Sequence, residues 1–93
     1  MEVININGTS RFTVPKGYDS WLDYWEKQTG LSALKCGSWG CMSMSFHELV
    51  GAHVQKANSS DRRFYITPLC RKCNNRIGVF TVTTPLVPVP SNL

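Results

Sequence analysis

The chain has 93 residues, a net charge of +4 at pH 7 and four cysteines. This length corresponds to one small domain, and such domains bury so little surface that many need a disulfide or a metal ion to stay folded. The first residues lack the pattern of a signal peptide, and no stretch is long and apolar enough to span a bilayer. We therefore expect a cytoplasmic protein without a membrane partner, where reducing conditions favour a metal site or free thiols over disulfides.

Positive charge is concentrated in the second half of the chain. Residues 1–48 carry four Lys and Arg against five Asp and Glu, whereas residues 49–93 carry six Lys and Arg against the single Asp61. This asymmetry favours contact with a polyanion. The alternative is that the cations balance a metal centre, because four zinc-bound thiolates carry two more charges than the ion cancels.

The first 35 residues predict a strand and a helix. The stretch EVININGTSRFTV alternates in part and has a glycine for a turn, which indicates a strand or a short hairpin. The stretch YDSWLDYWEKQTG has N-cap residues in Asp19 and Ser20 and a stop at Gly30, so it predicts a short helix. Trp21 and Trp25 lie four apart on this helix, a spacing more typical of a hydrophobic core than of a ligand platform.

Two cysteine pairs are spaced for one tetrahedral metal ion. Cys36 and Cys41 lie in CGSWGC, where two glycines allow the backbone to curl and present both sulfurs to an ion. Cys70 and Cys73 lie three apart in TPLCRKCNNRIG, which places their side chains on one face of a helix. No thioredoxin-like pattern surrounds this second pair, so a redox motif is disfavoured. The sequence therefore predicts a structural Zn²⁺ held by all four cysteines.

The second cysteine pair is predicted to lie in a helix of about ten residues. Thr67 suits an N-cap, Pro68 suits the first helical position and Gly78 suits the residue after the end. Both cysteines would then lie near the start of the helix, where its dipole favours thiolate over thiol.

A β-hairpin is predicted between the cysteine pairs. Apolar residues in MSMSFHELVGAHVQK and in FYITP give two strands, which the polar loop QKANSSDRR joins. The tail VFTVTTPLVPVPSNL starts as a strand and then meets three prolines, so it should end extended. We predict a single domain, 1–93, with an N-terminal extension 1–35, a zinc-binding ββα core 36–80 and an extended proline-containing tail 81–93.

Knuckle, hairpin and helix follow one another in the order of a treble-clef zinc fold, so the predicted class is small α+β. Over residues 36–77 the sequence resembles the HNH endonuclease family, in particular its zinc-bearing endonuclease VII branch. In that family a catalytic His stands on the first hairpin strand, where His53 lies in GAHV, and a His or Asn follows the second zinc cysteine, where Asn74 stands. The resemblance implies that His53 is a general base and that Asn74 helps hold Mg²⁺ or Mn²⁺ against a phosphate.

Two positions depart from the family pattern. The metal-binding Asp that precedes the catalytic His is Ala52 here, and the middle Asn aligns with Tyr65. Because Mg²⁺ prefers charged oxygen ligands, the loss of the Asp predicts weak or no catalysis. Glu48 and Asp61 are the carboxylates that could replace it.

The role of the histidines is left partly open by the sequence. His47 and His53 are six apart, whereas a helical zinc protease requires a spacing of four, so that function is disfavoured. His53 is a catalytic residue, a packed strand residue, or a zinc ligand in place of one cysteine. Its small neighbours Gly51 and Ala52 favour an accessible ring and hence a functional role.

Two classes of function are consistent with these features. One is an HNH-like zinc module that binds nucleic acid or regulates another protein, with little or no catalysis; Ala52 favours it. The other is a metal-dependent HNH nuclease, and a protein-binding inhibitor or adaptor is a further alternative. The resemblance implies that one basic face contacts phosphates, and the expected residues are Arg62, Arg63, Arg71, Lys72 and Arg76. For a protein partner, we expect the same face and whichever of Trp21, Trp25 and Trp39 is exposed.

Overall fold

The computed structural model describes residues 1–6, 12–41 and 49–90. In chain order the elements are β1 (Glu2–Asn5), α1 (Trp21–Thr29), β2 (Leu49–Lys56), β3 (Tyr65–Cys70), α2 (Arg71–Asn74), β4 (Phe80–Thr81) and β5 (Val87–Pro88). The five strands form an antiparallel sheet in the order β4-β1-β2-β3-β5, which confirms the small α+β class. The turn predicted at Gly8 lies outside the described part of the chain. So do His47, Glu48 and the last three residues.

The predicted hairpin is the centre of the sheet. β2 and β3 pair from Leu49 opposite Cys70 to Val54 opposite Tyr65. Every residue of β3 is buried, and Val54 on β2 is buried as well. Because β3 is covered on both faces, Cys70 at its end enters the core rather than the solvent.

Helix α1 has the limits that its caps predict. The Ser20 hydroxyl accepts a hydrogen bond from the Asp23 amide, and Gly30 ends the helix with a left-handed φ of 74°. Trp25 is 2% exposed, and its indole N–H donates to the Pro85 carbonyl at 2.8 Å. The aromatic stripe therefore packs into the core, as expected. Neither described helix has the length and apolar character needed to cross a bilayer.

The prediction that a helix begins at Thr67 and Pro68 is wrong. Both residues lie in β3, and α2 begins only at Arg71 and runs for four residues. Pro68 pairs with Gly51 across the sheet, while its carbonyl accepts a hydrogen bond from Gly37. The Thr67 hydroxyl bonds the Thr84 hydroxyl instead of capping a helix. These long-range contacts outweigh the local capping preference, which is a weak determinant on its own.

The first and the last described strands join the same sheet as the hairpin. β1 pairs with β2 and β4, and β5 pairs with β3 at the other edge. Pro88 lies in an edge strand, where a missing N–H is tolerated. The division of the chain at residues 35 and 80 stays a prediction.

Candidate metal centre and adjoining cavity

The four cysteines come together against the sheet, in or beside one hydrophobic cluster of the core. Their sulfur atoms all lie within 4.8 Å of one another, and the Sγ atoms of Cys41 and Cys70 are 3.9 Å apart. In a tetrahedral site with Zn–S bonds of about 2.3 Å, the sulfurs are about 3.8 Å from each other. All four residues are free thiols rather than disulfides. The cluster could therefore hold a metal ion such as zinc.

The first pair lies on a knuckle, residues 36–41, that two neighbouring segments fix in place. The Gly37 N–H donates to the Pro68 carbonyl at 2.8 Å, and the Trp39 N–H donates to the Thr81 carbonyl at 2.8 Å. A Cβ on Gly37 would meet the Thr84 hydroxyl and the Pro68 carbonyl, so only glycine allows this approach. The turn closes at Gly40, which has a left-handed φ of 81°.

The second pair is positioned by the junction of β3 and α2. Cys70 is the last strand residue and the N-cap of the helix, and Cys73 lies inside the helix. The Asn5 side chain on β1 donates to the carbonyls of Cys73 and Arg76, at 2.9 and 3.0 Å. These two hydrogen bonds tie β1 to the end of α2. The sequence does not reveal this role, because a polar residue in a strand carries no local sign of a contact 68 residues away.

Burial disfavours the thiolate form of two of the four cysteines, Cys36 and Cys73. It raises the pKa of Cys36 to about 12, and it also raises the pKa of Cys73 above its usual value. Cys41 is half-buried and is the most accessible of the four. A cation that displaced the thiol protons would stabilise the thiolates that burial alone disfavours.

His53 is packed between aromatic rings outside this cluster. Its ring centroid is 5.4 Å from that of Phe12 and 5.0 Å from that of Trp21, and the residue is 7% exposed. Burial lowers its pKa to about 4, so the imidazole is neutral at pH 7. Its Nε2 atom is buried and has no hydrogen-bond partner among the described residues. The expectation of an accessible ring is wrong, because the space beside Gly51 admits the backbone of α1 rather than solvent.

His53 and Asn74, the two residues that the HNH resemblance assigns to catalysis, line one cavity of about 290 Å³. The described residues around this cavity include no carboxylate; the others are Phe12, Trp21, Val50, Gly51 and Ala52. Asp61 does not take the place of the missing Asp. It lies in the hairpin loop, where it accepts hydrogen bonds from Arg63 and from the Tyr65 hydroxyl.

The five predicted basic residues lie in two separate segments of the chain. Arg62 and Arg63 lie in the hairpin loop, at the end of β3 opposite to Cys70, which is roughly 20 Å away at about 3.3 Å per strand residue. Arg63 forms an ion pair with Asp61 at 3.2 Å. The other three residues, Arg71, Lys72 and Arg76, are exposed beside the metal centre.

Arg76 is held against the knuckle. Its Nη1 donates to the Ser38 hydroxyl at 3.0 Å, and its guanidinium carbon lies 4.9 Å from the centre of the Phe80 ring.

No family model, curated protein or solved structure matches this chain. The resemblance to HNH endonucleases therefore stays a prediction from the sequence.

Proposed function

We propose that this chain is an HNH-like treble-clef module that is stabilised by zinc, binds nucleic acid and has little or no catalytic activity. The observation that carries the proposal is the four-thiol cluster, whose sulfurs lie within 4.8 Å of one another beside exposed cations. An all-sulfur, four-residue ligand set suits Zn²⁺ in a closed, structural site.

Zinc at this position would hold together distant parts of the chain. Cys41 and Cys70 are 29 residues apart in sequence, so a shared ion ties the knuckle to the end of β3. A closed set of four protein ligands leaves no position for water or substrate, so this ion would support the fold and not the chemistry.

The charge beside the cluster supports a nucleic-acid partner. The segments 36–41 and 70–83 contain Arg71, Lys72 and Arg76 and no Asp or Glu. Two of these side chains, Arg71 and Lys72, lie at the start of α2 and are exposed, so they are free to approach phosphates.

Binding should depend on salt and on these cations. With zinc-loaded protein and labelled DNA or RNA in a fluorescence anisotropy titration, Arg71→Ala and Lys72→Ala should each weaken binding about equally across sequences. Each lost phosphate contact should flatten the slope of log K against log salt by roughly 0.7 to 0.9. Lys16→Ala removes an exposed cation far along the chain and should change little. If the unaltered protein binds neither DNA nor RNA at low salt, the proposal is wrong and a protein partner is indicated.

A metal-dependent nuclease is the second candidate, and the cavity shared by His53 and Asn74 favours it. A neutral imidazole with an unpartnered Nε2 has the form that a general base requires. The absence of a carboxylate from the described lining, with Ala52 in the position of the family's Asp, opposes tight Mg²⁺ binding. The same protein preparation, assayed for plasmid nicking with Mg²⁺ or Mn²⁺, should show weak or no activity. If the unaltered protein nicks plasmid DNA robustly and a folded His53→Ala variant does not, the protein is a nuclease and the proposal of a binding module is wrong.

A further inference from the structure

Trp39 is a large aromatic side chain presented to solvent on a fixed backbone. It is 72% exposed, although its own N–H donates to the Thr81 carbonyl and its neighbour Ser38 forms a β-bridge with Val82. The cysteines at both ends of the knuckle restrict the segment further. Because the backbone is already held in this way, a partner that covers the side chain does not have to order the loop as well.

The surroundings of Trp39 are cationic. Arg76 donates to Ser38, the residue before Trp39, which places the guanidinium beside the knuckle. The 3.9 Å separation between the sulfurs of Cys41 and Cys70 brings the start of α2, with Arg71 and Lys72, next to the knuckle. The segments 36–41 and 70–83, which surround Trp39 in the chain and at the cluster, thus carry three positive charges and no Asp or Glu. Glu2, which is opposite Thr81 in the sheet, is a carboxylate near them.

We propose that Trp39 is a base-stacking platform and that this end of the molecule binds single-stranded nucleic acid. The inference rests on the proposed nucleic-acid function and specifies the class of ligand. In a duplex the faces of the bases are covered by their neighbours, whereas an unpaired strand offers a free face to an indole and phosphates to nearby cations. Neither interaction depends on base identity, so little sequence preference is expected.

The test compares single and double strands on the full-length, zinc-loaded protein. The probes are fluorescein-labelled oligothymidylate of about 12 nucleotides, a length within the usual site range, and a duplex of the same length. Trp39→Ala should weaken binding to the single strand by about 5-fold to about 100-fold, and duplex affinity should change by less than about 2-fold. Trp39→Phe keeps an aromatic face and should retain much of the single-strand affinity.

The matched control is Leu34→Ala, which removes another exposed apolar side chain, 58% exposed, five residues before Trp39. It should leave both affinities unchanged. Because Trp39 is exposed, its variants should keep the zinc content and circular dichroism of the unaltered protein.

The possible outcomes separate this inference from the proposed function. If the unaltered protein binds neither probe, the nucleic-acid function fails and the inference fails with it. If it binds but Trp39→Ala weakens both probes equally, or neither, the stacking platform is wrong while the nucleic-acid function stands. If the cations serve only to balance zinc-bound thiolates, Arg71→Ala will change the affinity for zinc and leave oligothymidylate binding intact, which also overturns the inference.

Discussion

At the scale of single residues, His53 combines deep burial with an unsatisfied nitrogen. Buried polar atoms usually have a partner, so an imidazole Nε2 without one is a cost that the fold carries. The rings of Phe12 and Trp21 pack against the imidazole and keep water away from it. This loss of water disfavours the charged form of the imidazole. The described lining of the cavity offers no carboxylate that would stabilise an imidazolium.

This environment predicts a specific dependence of stability on pH. The pKa of His53 is about 4 in the folded protein and about 6.5 in an unfolded chain. Between these values the unfolded chain binds more protons, so the free energy of unfolding falls as the pH is lowered from 6.5 to 4. The full loss from this residue is up to about 3 kcal/mol. Urea unfolding at a series of pH values should show it, and His53→Gln should remove this part of the slope.

The comparison with His53→Gln also separates the histidine from the metal. Protons compete with zinc for thiolates at low pH, but this competition is common to both proteins. The difference between their pH profiles therefore belongs to the imidazole. Parallel profiles from pH 7.5 to pH 4 would show that His53 is not buried in the neutral form.

At the scale of elements, the packing of α1 on β2 depends on Gly51. A Cβ at this position would lie 2.5 Å from the Leu22 backbone nitrogen and 2.6 Å from the Trp21 carbonyl carbon. The first turn of the helix thus rests directly on the strand. This close approach brings the Trp21 ring over His53 and forms one wall of the cavity.

Gly51→Ala should therefore destabilise the protein by more than the addition of one methyl group suggests. The added methyl meets backbone atoms that cannot rotate away, so α1 must shift, and overpacking of this kind costs about 1 to 3 kcal/mol. Gly30→Ala is the control: no heavy atom lies within 4 Å of its Cβ position, and only its left-handed φ is penalised, by about 1 kcal/mol. The packing argument would be contradicted if chemical denaturation showed that Gly51→Ala lowers the free energy of unfolding no more than Gly30→Ala does.

Sequence reasoning located those elements whose signals are local. Ser20 and Gly30 bound α1 because capping depends on neighbouring residues, and both cysteine pairs were recognised by their spacing. The start of α2 was misplaced because Pro68 is held by Gly37 and Gly51, which are distant in sequence. Which of the three tryptophans is exposed also depends on contacts that are distant in sequence, so the sequence does not predict it.

At the scale of the whole molecule, the sheet and the cysteine cluster unite distant segments. β1 lies between β2 and β4, and its Asn5 holds the end of α2, while β5 covers the other edge of the hairpin. The cluster joins the knuckle to β3 and α2. A chain of 93 residues has a limited core, so loss of either connection should affect the entire fold.

Removal of the metal should unfold the protein cooperatively. Zinc bound by cysteines contributes roughly 10 to 16 kcal/mol in small domains, which is comparable to the roughly 5 to 15 kcal/mol that separates a folded domain from its unfolded chain. A strong chelator should abolish the thermal unfolding transition followed by circular dichroism, and added Zn²⁺ under reducing conditions should restore it. Cys70→Ser should be unfolded with or without zinc. If the cysteines stabilised the core by packing alone, the chelator would have no effect on the unaltered protein; an unchanged melting curve would therefore exclude the zinc centre.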